Sequence, residues 1–105
     1  MSAEAILSAN ELLARKAWVP ENVVYRDFVT ETVVLNLETG EYHGVNRTGG
    51  LILAALERTE TIGAAARRLA EESGRAVAEV ERDVCAFCSN LLERGLIRLR
   101  GDGDG

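Results

Sequence analysis

The stretch from residue 39 to residue 56, TGEYHGVNRTGGLILAAL, constrains the fold more than any other part of the sequence. It follows an apolar, β-branched segment at residues 32–37, a composition that predicts a strand. Gly40 can adopt a positive φ, which allows the chain to reverse in a tight turn. The stretch therefore opens as the second half of a β-hairpin.

The strand after this turn, Glu41 to Val45, is only about five residues long and contains Gly44. A glycine inside a strand weakens pairing and often marks the close approach of another backbone. Asn46 or Thr48 can then cap a helix with an apolar run. A short strand between a hairpin and a helix is a candidate docking edge for an extended peptide.

Length and charge limit the function classes. The 105 residues predict one small domain, and the hydrophobic fraction of 47% supports a modest core. The formal net charge of −5 argues against nucleic acid and anionic membranes as partners. No apolar run approaches the roughly 18 residues that a membrane span needs, and the N-terminus lacks the features of a signal peptide. A cytoplasmic protein with two free thiols is therefore expected.

The remaining pattern predicts a mixed α and β chain. A helix is expected over Ser2 to Ala17, and Pro20 marks its end. A strand over Glu21 to Val29 would complete a three-stranded antiparallel meander. Further elements are expected as three helices, a brief extended piece and a frayed tail: Thr48 to Arg58, Ile62 to Ser73, Ala78 to Arg94, Leu96 to Arg100, and Gly101 to Gly105.

The third of these helices has more apolar surface than one core face needs. A stripe at helical spacing is extended sideways by a second set of apolar residues, so either another element or a ligand covers that flank. The N-terminal helix and the piece at residues 96–99 are the alternatives to a ligand. The stripe is Val80, Val84, Phe87 and Leu91, and the flank is Cys85, Cys88 and Leu92.

No residue set indicates catalysis or metal binding. Cys85 and Cys88 lie about two turns inside a helix, whereas a redox pair normally lies at a helix N-terminus. Zinc would need two more nitrogen or sulfur ligands, and His43 is the only histidine. A general base also needs a nucleophile at a suitable position, and none is evident. Packing is therefore the favoured role for both cysteines, and no catalytic residue, metal or cofactor is predicted.

The order of these motifs resembles the PqqD-like family. The segments that carry the resemblance are Thr39 to Gly50, Glu79 to Phe87 and Leu91 to Ile97, and the similarity extends over roughly residues 23–99. It implies a winged helix-turn-helix-like α+β fold, in which a three-stranded antiparallel sheet packs on three helices. The N-terminal helix would be an addition, giving an extension (1–20), a peptide-binding domain (21–100) and a disordered tail (101–105).

The resemblance also implies a function. Such domains, called RiPP recognition elements, bind the leader of a ribosomally made precursor peptide without catalysis and present it to a modifying enzyme or leader peptidase. Pyrroloquinoline quinone and lasso peptides are products of such pathways. The family's leader adds as a strand beside the third strand and lies against the third helix, which implies the following site: Glu41, Tyr42, His43, Gly44, Val45, Val84, Cys85, Cys88 and Leu92.

Two alternatives follow from the helix order. One is a winged-helix protein-interaction or regulatory module unrelated to peptide modification. The other is a DNA binder, whose recognition helix should offer Arg, Lys, Asn or Gln to base edges. The third helix instead carries Glu79, Glu81 and Asp83, which argues against DNA. The sequence leaves the oligomeric state, the precursor peptide and the enzyme partner open.

Overall fold

The computed structural model describes residues 8–100. In chain order the elements form a short N-terminal helix and strand, a β-hairpin pair, three longer helices and a C-terminal strand. Their bounds are α1 Ala9–Leu13, β1 Lys16–Trp18, β2 Val23–Asp27, β3 Glu31–Asn36, β4 Tyr42–Asn46, α2 Arg47–Arg58, α3 Ile62–Ser73, α4 Val77–Glu93 and β5 Arg98–Arg100.

Strands β2, β3 and β4 form the predicted antiparallel meander. Val34 of the central strand β3 pairs with Tyr25 on one side and His43 on the other. The turn between β3 and β4 contains Gly40 with φ of +77°, a conformation that most other residues avoid. The predicted α+β class, with a three-stranded sheet and three long helices, is confirmed.

Helices α2 and α3 begin at capping residues that the sequence indicates. The Asn46 side chain accepts a hydrogen bond of 2.8 Å from the backbone N–H of Gly49 and so caps α2. Thr61 caps α3 in the same way, and Gly74 ends it with φ of +73°. No helix within residues 8–100 is long and apolar enough to span a membrane.

The core lies between the inner face of the sheet and the three long helices. Leu53, Val84 and Leu91 are at most 1% exposed, and Ile62 is fully buried. Helix α2 approaches the sheet closely because Gly50 has no side chain: a Cβ there would overlap the hydroxyl of the buried Thr32. The tight contact therefore makes a glycine necessary at this position.

The N-terminal segment differs from the expected helix over Ser2 to Ala17. Residues 2–7 lie outside the described part, α1 covers only Ala9–Leu13, and Lys16–Trp18 is a strand paired antiparallel with β5. The Lys16 ammonium donates to the carbonyls of Leu56 (2.9 Å) and Thr59 (2.7 Å) at the end of α2. These long-range bonds outweigh the helical pattern of the local sequence. The proposed boundary at residue 20 stays a prediction, and the predicted tail lies outside the described residues.

Candidate functional site: the free edge of β4

Strand β4 is an edge strand that pairs only with β3 within residues 8–100. The backbone N–H of Asn36 donates to the carbonyl of Glu41 at 2.9 Å. Since hydrogen-bonded and non-hydrogen-bonded pairs alternate along an antiparallel ladder, His43 and Val45 also bond to β3. The N–H and C=O groups of Tyr42 and Gly44 therefore point away from the sheet, where they can pair with another chain.

A groove of about 170 Å3 separates this edge from helix α4. At the Val45 end of the groove, the side chains of Val45 and Phe87 both approach Gly49: a Cβ at residue 49 would lie 2.8 Å from the Phe87 ring and 3.1 Å from the Val45 side chain. The residues lining the groove are His43, Gly44, Val45, Asn90, Leu91 and Arg94.

The helix residues expected to face the peptide do not line this groove. Val84 and Cys88 are 0% exposed, so neither offers surface to a ligand in this conformation. Cys85 and Leu92 are half-buried and pack against the core. At roughly 100° per residue, these two lie across the buried stripe from Asn90 and Arg94. Helix α1 packs against α3 and α4, in agreement with the alternative in which an N-terminal helix covers apolar surface.

Sequence reasoning therefore missed the helix residues that the fold brings next to β4. Phe87, Asn90 and Arg94 follow one another at spacings of three and four, so they share a face of α4. Their spacing could have indicated a shared face of the helix, but Asn90 and Arg94 are polar and therefore suggest a surface that faces solvent. The strand half of the predicted site, residues 41–45, does lie at the free edge.

A polar contact joins the two walls of the groove. One terminal nitrogen of the Arg94 guanidinium lies 3.0 Å from Nδ1 of His43. Arginine has donors only, so Nδ1 of His43 is the acceptor in this contact. The Arg94 Nε donates to the side-chain oxygen of Asn90 at 3.0 Å. These two bonds hold the guanidinium at the mouth of the groove.

The cysteine pair has the environment of core residues. Burial, reinforced by the neighbouring Cys85, raises the pKa of the Cys88 thiol to about 12. Burial likewise raises the pKa of Cys85, with a smaller contribution from the Glu81 charge. Redox and metal-binding cysteines need an accessible thiolate, so this environment favours packing. Within the described residues, no group of three or more His, Cys, Asp or Glu side chains is placed to hold a metal.

Two other cavities do not involve β4. The larger, about 440 Å3, lies between the β2–β3 turn and the start of α2, where Phe28 and Val29 are exposed. The second, about 190 Å3, lies among α2, α3 and α4 beside Val80 and Asp83. The second cavity adjoins no strand, and the larger one meets β2, the other edge strand, only at Asp27. Three residues of β4 line its groove, so the β4 edge is the better candidate for a peptide site despite the smaller volume.

The fold and the site define a winged helix-turn-helix-like domain whose small sheet has an open edge beside its last long helix. Comparison with known families identifies it further. The model of the family described as coenzyme PQQ synthesis protein D (PqqD) matches residues 31–97, from β3 to the residue before β5. The chain belongs to the PqqD family, as the sequence motifs predicted.

Two solved structures share the fold. The structure of TbiB1 in complex with the TbiA(beta) leader peptide is 29% identical in sequence, with a TM-score of 0.68 over 83% of this chain and 99% of that chain. Lasso peptide synthetase B1 complexed with the leader peptide has a TM-score of 0.70 over 79% of this chain and 98% of that chain. Its identity of 24% supports the fold alone. No curated protein matches the sequence.

Proposed function

We propose that this protein binds the leader region of a ribosomally made precursor peptide by strand addition at β4. It then presents the peptide to a modifying enzyme or leader peptidase. The observation that carries the proposal is the free edge of β4 beside the groove to α4. Membership of the PqqD family and similarity to a TbiB1 structure that holds a leader peptide support it.

Strand addition accounts for both halves of the site. Main-chain bonds from Tyr42 and Gly44 supply affinity that is independent of the leader sequence, and every second leader side chain points towards α4. The helix residues that line the groove and meet those side chains are Asn90, Leu91 and Arg94 rather than the buried Val84 and Cys88. The proposed site is therefore residues 41–45 together with this face of α4.

The proposed role is binding without catalysis. The groove holds one histidine, and that ring is hydrogen-bonded to a guanidinium rather than to a nucleophile. A general base needs a partner within hydrogen-bonding reach and a defined orientation towards it. The chemistry is assigned to the partner enzyme, in the cytoplasm where precursor peptides are translated. Turnover of a precursor by the purified protein alone would contradict this.

A regulatory DNA-binding role is the weaker alternative. Glu79 and Asp83 of α4 both form ion pairs with Arg75, which precedes the helix, at 3.0 Å and 2.8 Å. The first two turns of α4 therefore present carboxylates, and the guanidinium beside them is already paired. Such a surface opposes phosphate contacts. A protein-interaction role without peptide modification stays open, since it could use the same strand edge.

The test is a titration of ¹⁵N-labelled protein with the leader region of the precursor peptide encoded beside its gene. Amide shifts should change at residues 41–46 and on the face of α4 that carries Phe87, Asn90 and Arg94. The amides of Cys85 and Leu92 should change less. A scrambled leader of equal composition is the control. Changes concentrated on α1 or β5 would refute the proposed groove.

A further inference from the structure

The guanidinium of Arg94 is held by two side chains, those of Asn90 and His43, at the mouth of the groove beside β4. Its Nε binds the Asn90 side chain and one terminal nitrogen binds His43, each at 3.0 Å. A guanidinium carries five N–H donors, so these two contacts leave donors free at the mouth of the groove. These contacts orient the side chain and leave N–H donors available for a further partner.

The charge of Arg94 has no carboxylate partner within the part of the chain that the structure describes. Ion pairs within 4.0 Å there join Arg68 to Glu72, and Arg75 to Glu79 and Asp83. In a chain with a net charge of −5, carboxylates for such a pair are abundant. An arginine fixed by two neutral acceptors next to an open strand edge is suited to receive a carboxylate from outside, in a bidentate charge-assisted contact.

The position of this arginine relative to the strand edge identifies the carboxylate. His43 and Val45 face the groove, while Gly44 offers its backbone groups outward. In a peptide strand paired at Gly44, the residue opposite His43 would direct its side chain over the groove, towards Arg94. We propose that this subsite binds an aspartate or glutamate side chain of the leader and so selects leaders with an acidic residue at that position. This inference rests on the proposed strand addition.

The probe that tests the subsite is a displayed library of random 12-residue peptides, selected in parallel on the wild type, Arg94→Gln and Arg98→Gln. The last variant removes one exposed arginine from β5, outside the groove, and is the charge-matched control. Peptides from the wild type and the Arg98→Gln variant should share an enriched aspartate or glutamate at one position, and peptides from Arg94→Gln should not.

Affinity measurements on individual selected peptides then give the size of the acidic preference. Replacing the enriched Asp or Glu by its amide should weaken binding to the wild type by about tenfold, as loss of a charge-assisted hydrogen bond predicts, and should change binding to Arg94→Gln less than about twofold. Arg94→Lys should restore part of the preference, since it keeps the charge but not the fork. Equal affinities of wild type and Arg94→Gln for the acidic peptides would overturn the inference.

Peptide competition and the amide shifts of residues 41–46 distinguish the acidic subsite from strand addition. Peptides that compete with each other, bind through β4 and show no acidic preference would overturn the subsite alone. Selected peptides that perturb no amide of residues 41–46 would overturn strand addition and the subsite together. Circular dichroism of Arg94→Gln excludes loss of fold, which is not expected because Arg94 is exposed at the end of α4.

Discussion

Replacing Gly44 by proline should abolish one main-chain contact with the peptide while leaving the sheet intact. The N–H of Gly44 points away from β3, because the bonds to β3 come from its neighbours His43 and Val45. Proline is tolerated on edge strands where the missing N–H faces solvent. Gly44→Pro therefore removes a donor that only an added strand would use.

Gly44→Ala is the matched control. An alanine Cβ would lie 2.8 Å from a carboxylate oxygen of Glu31, and this is the flexible end of an exposed side chain that can rotate away. The alanine variant keeps the N–H and introduces the same first side-chain atom as proline. Differences in peptide affinity between the two variants thus report on the backbone donor and the proline ring.

The expected loss of binding free energy follows from the main-chain hydrogen bond that Gly44→Pro removes. A peptide hydrogen bond contributes about 0.5–1.5 kcal/mol, and leaving the partner carbonyl unpaired raises the loss to about 1–3 kcal/mol. This corresponds to roughly a five- to 150-fold increase in Kd for the leader with Gly44→Pro relative to Gly44→Ala. Fluorescence anisotropy with the labelled leader measures the ratio. Equal Kd values in two variants with native circular dichroism would refute strand addition at this edge.

Three further predictions concern the scaffold. Gly50→Ala should destabilise the fold by about 1–3 kcal/mol in urea denaturation, because its Cβ would overlap Thr32, although Gly→Ala in an open helix position is stabilising. Lys16→Met should lower the free energy of unfolding by about 1–3 kcal/mol, since it removes two hydrogen bonds from the ammonium to the end of α2 while keeping the apolar stem. Cys88 should resist iodoacetamide at pH 8 in the native state and react in denaturant, because burial raises its pKa to about 12; rapid native alkylation would contradict its burial.

The elements that local chemistry dictates were predictable from the sequence. Thr61, Gly74 and the turn glycine Gly40 each satisfy a backbone requirement that acts within a few residues, so the long helices and the meander could be placed. Strand β1 could not, because three residues from Lys16 to Trp18 become a strand only by pairing with a segment more than 80 residues away. Nothing in the local pattern encodes such a partner.

The helix residues that line the groove beside β4 could not be read from the sequence for a different reason. An apolar flank on α4 suggested a ligand surface, but Cys88 is fully buried and both Cys85 and Leu92 pack against the core. Asn90 and Arg94, which line the groove beside β4, are instead polar and exposed. Which side of a helix faces a strand edge depends on the packing angle of the whole helix, and this is a property of the tertiary structure rather than of the local sequence.

The glycine-containing junction after β4 positions the elements on both sides of the groove. Asn46 ends the strand and caps α2, so it fixes the direction in which the chain leaves the edge. Gly49 lets the ring of Phe87 and the side chain of Val45 both approach the start of α2. Because a Cβ at residue 49 would lie 2.8 Å from the Phe87 ring, a side chain there would require that ring to shift. In the proposed function, the junction influences peptide binding through the relative position of α4 and β4.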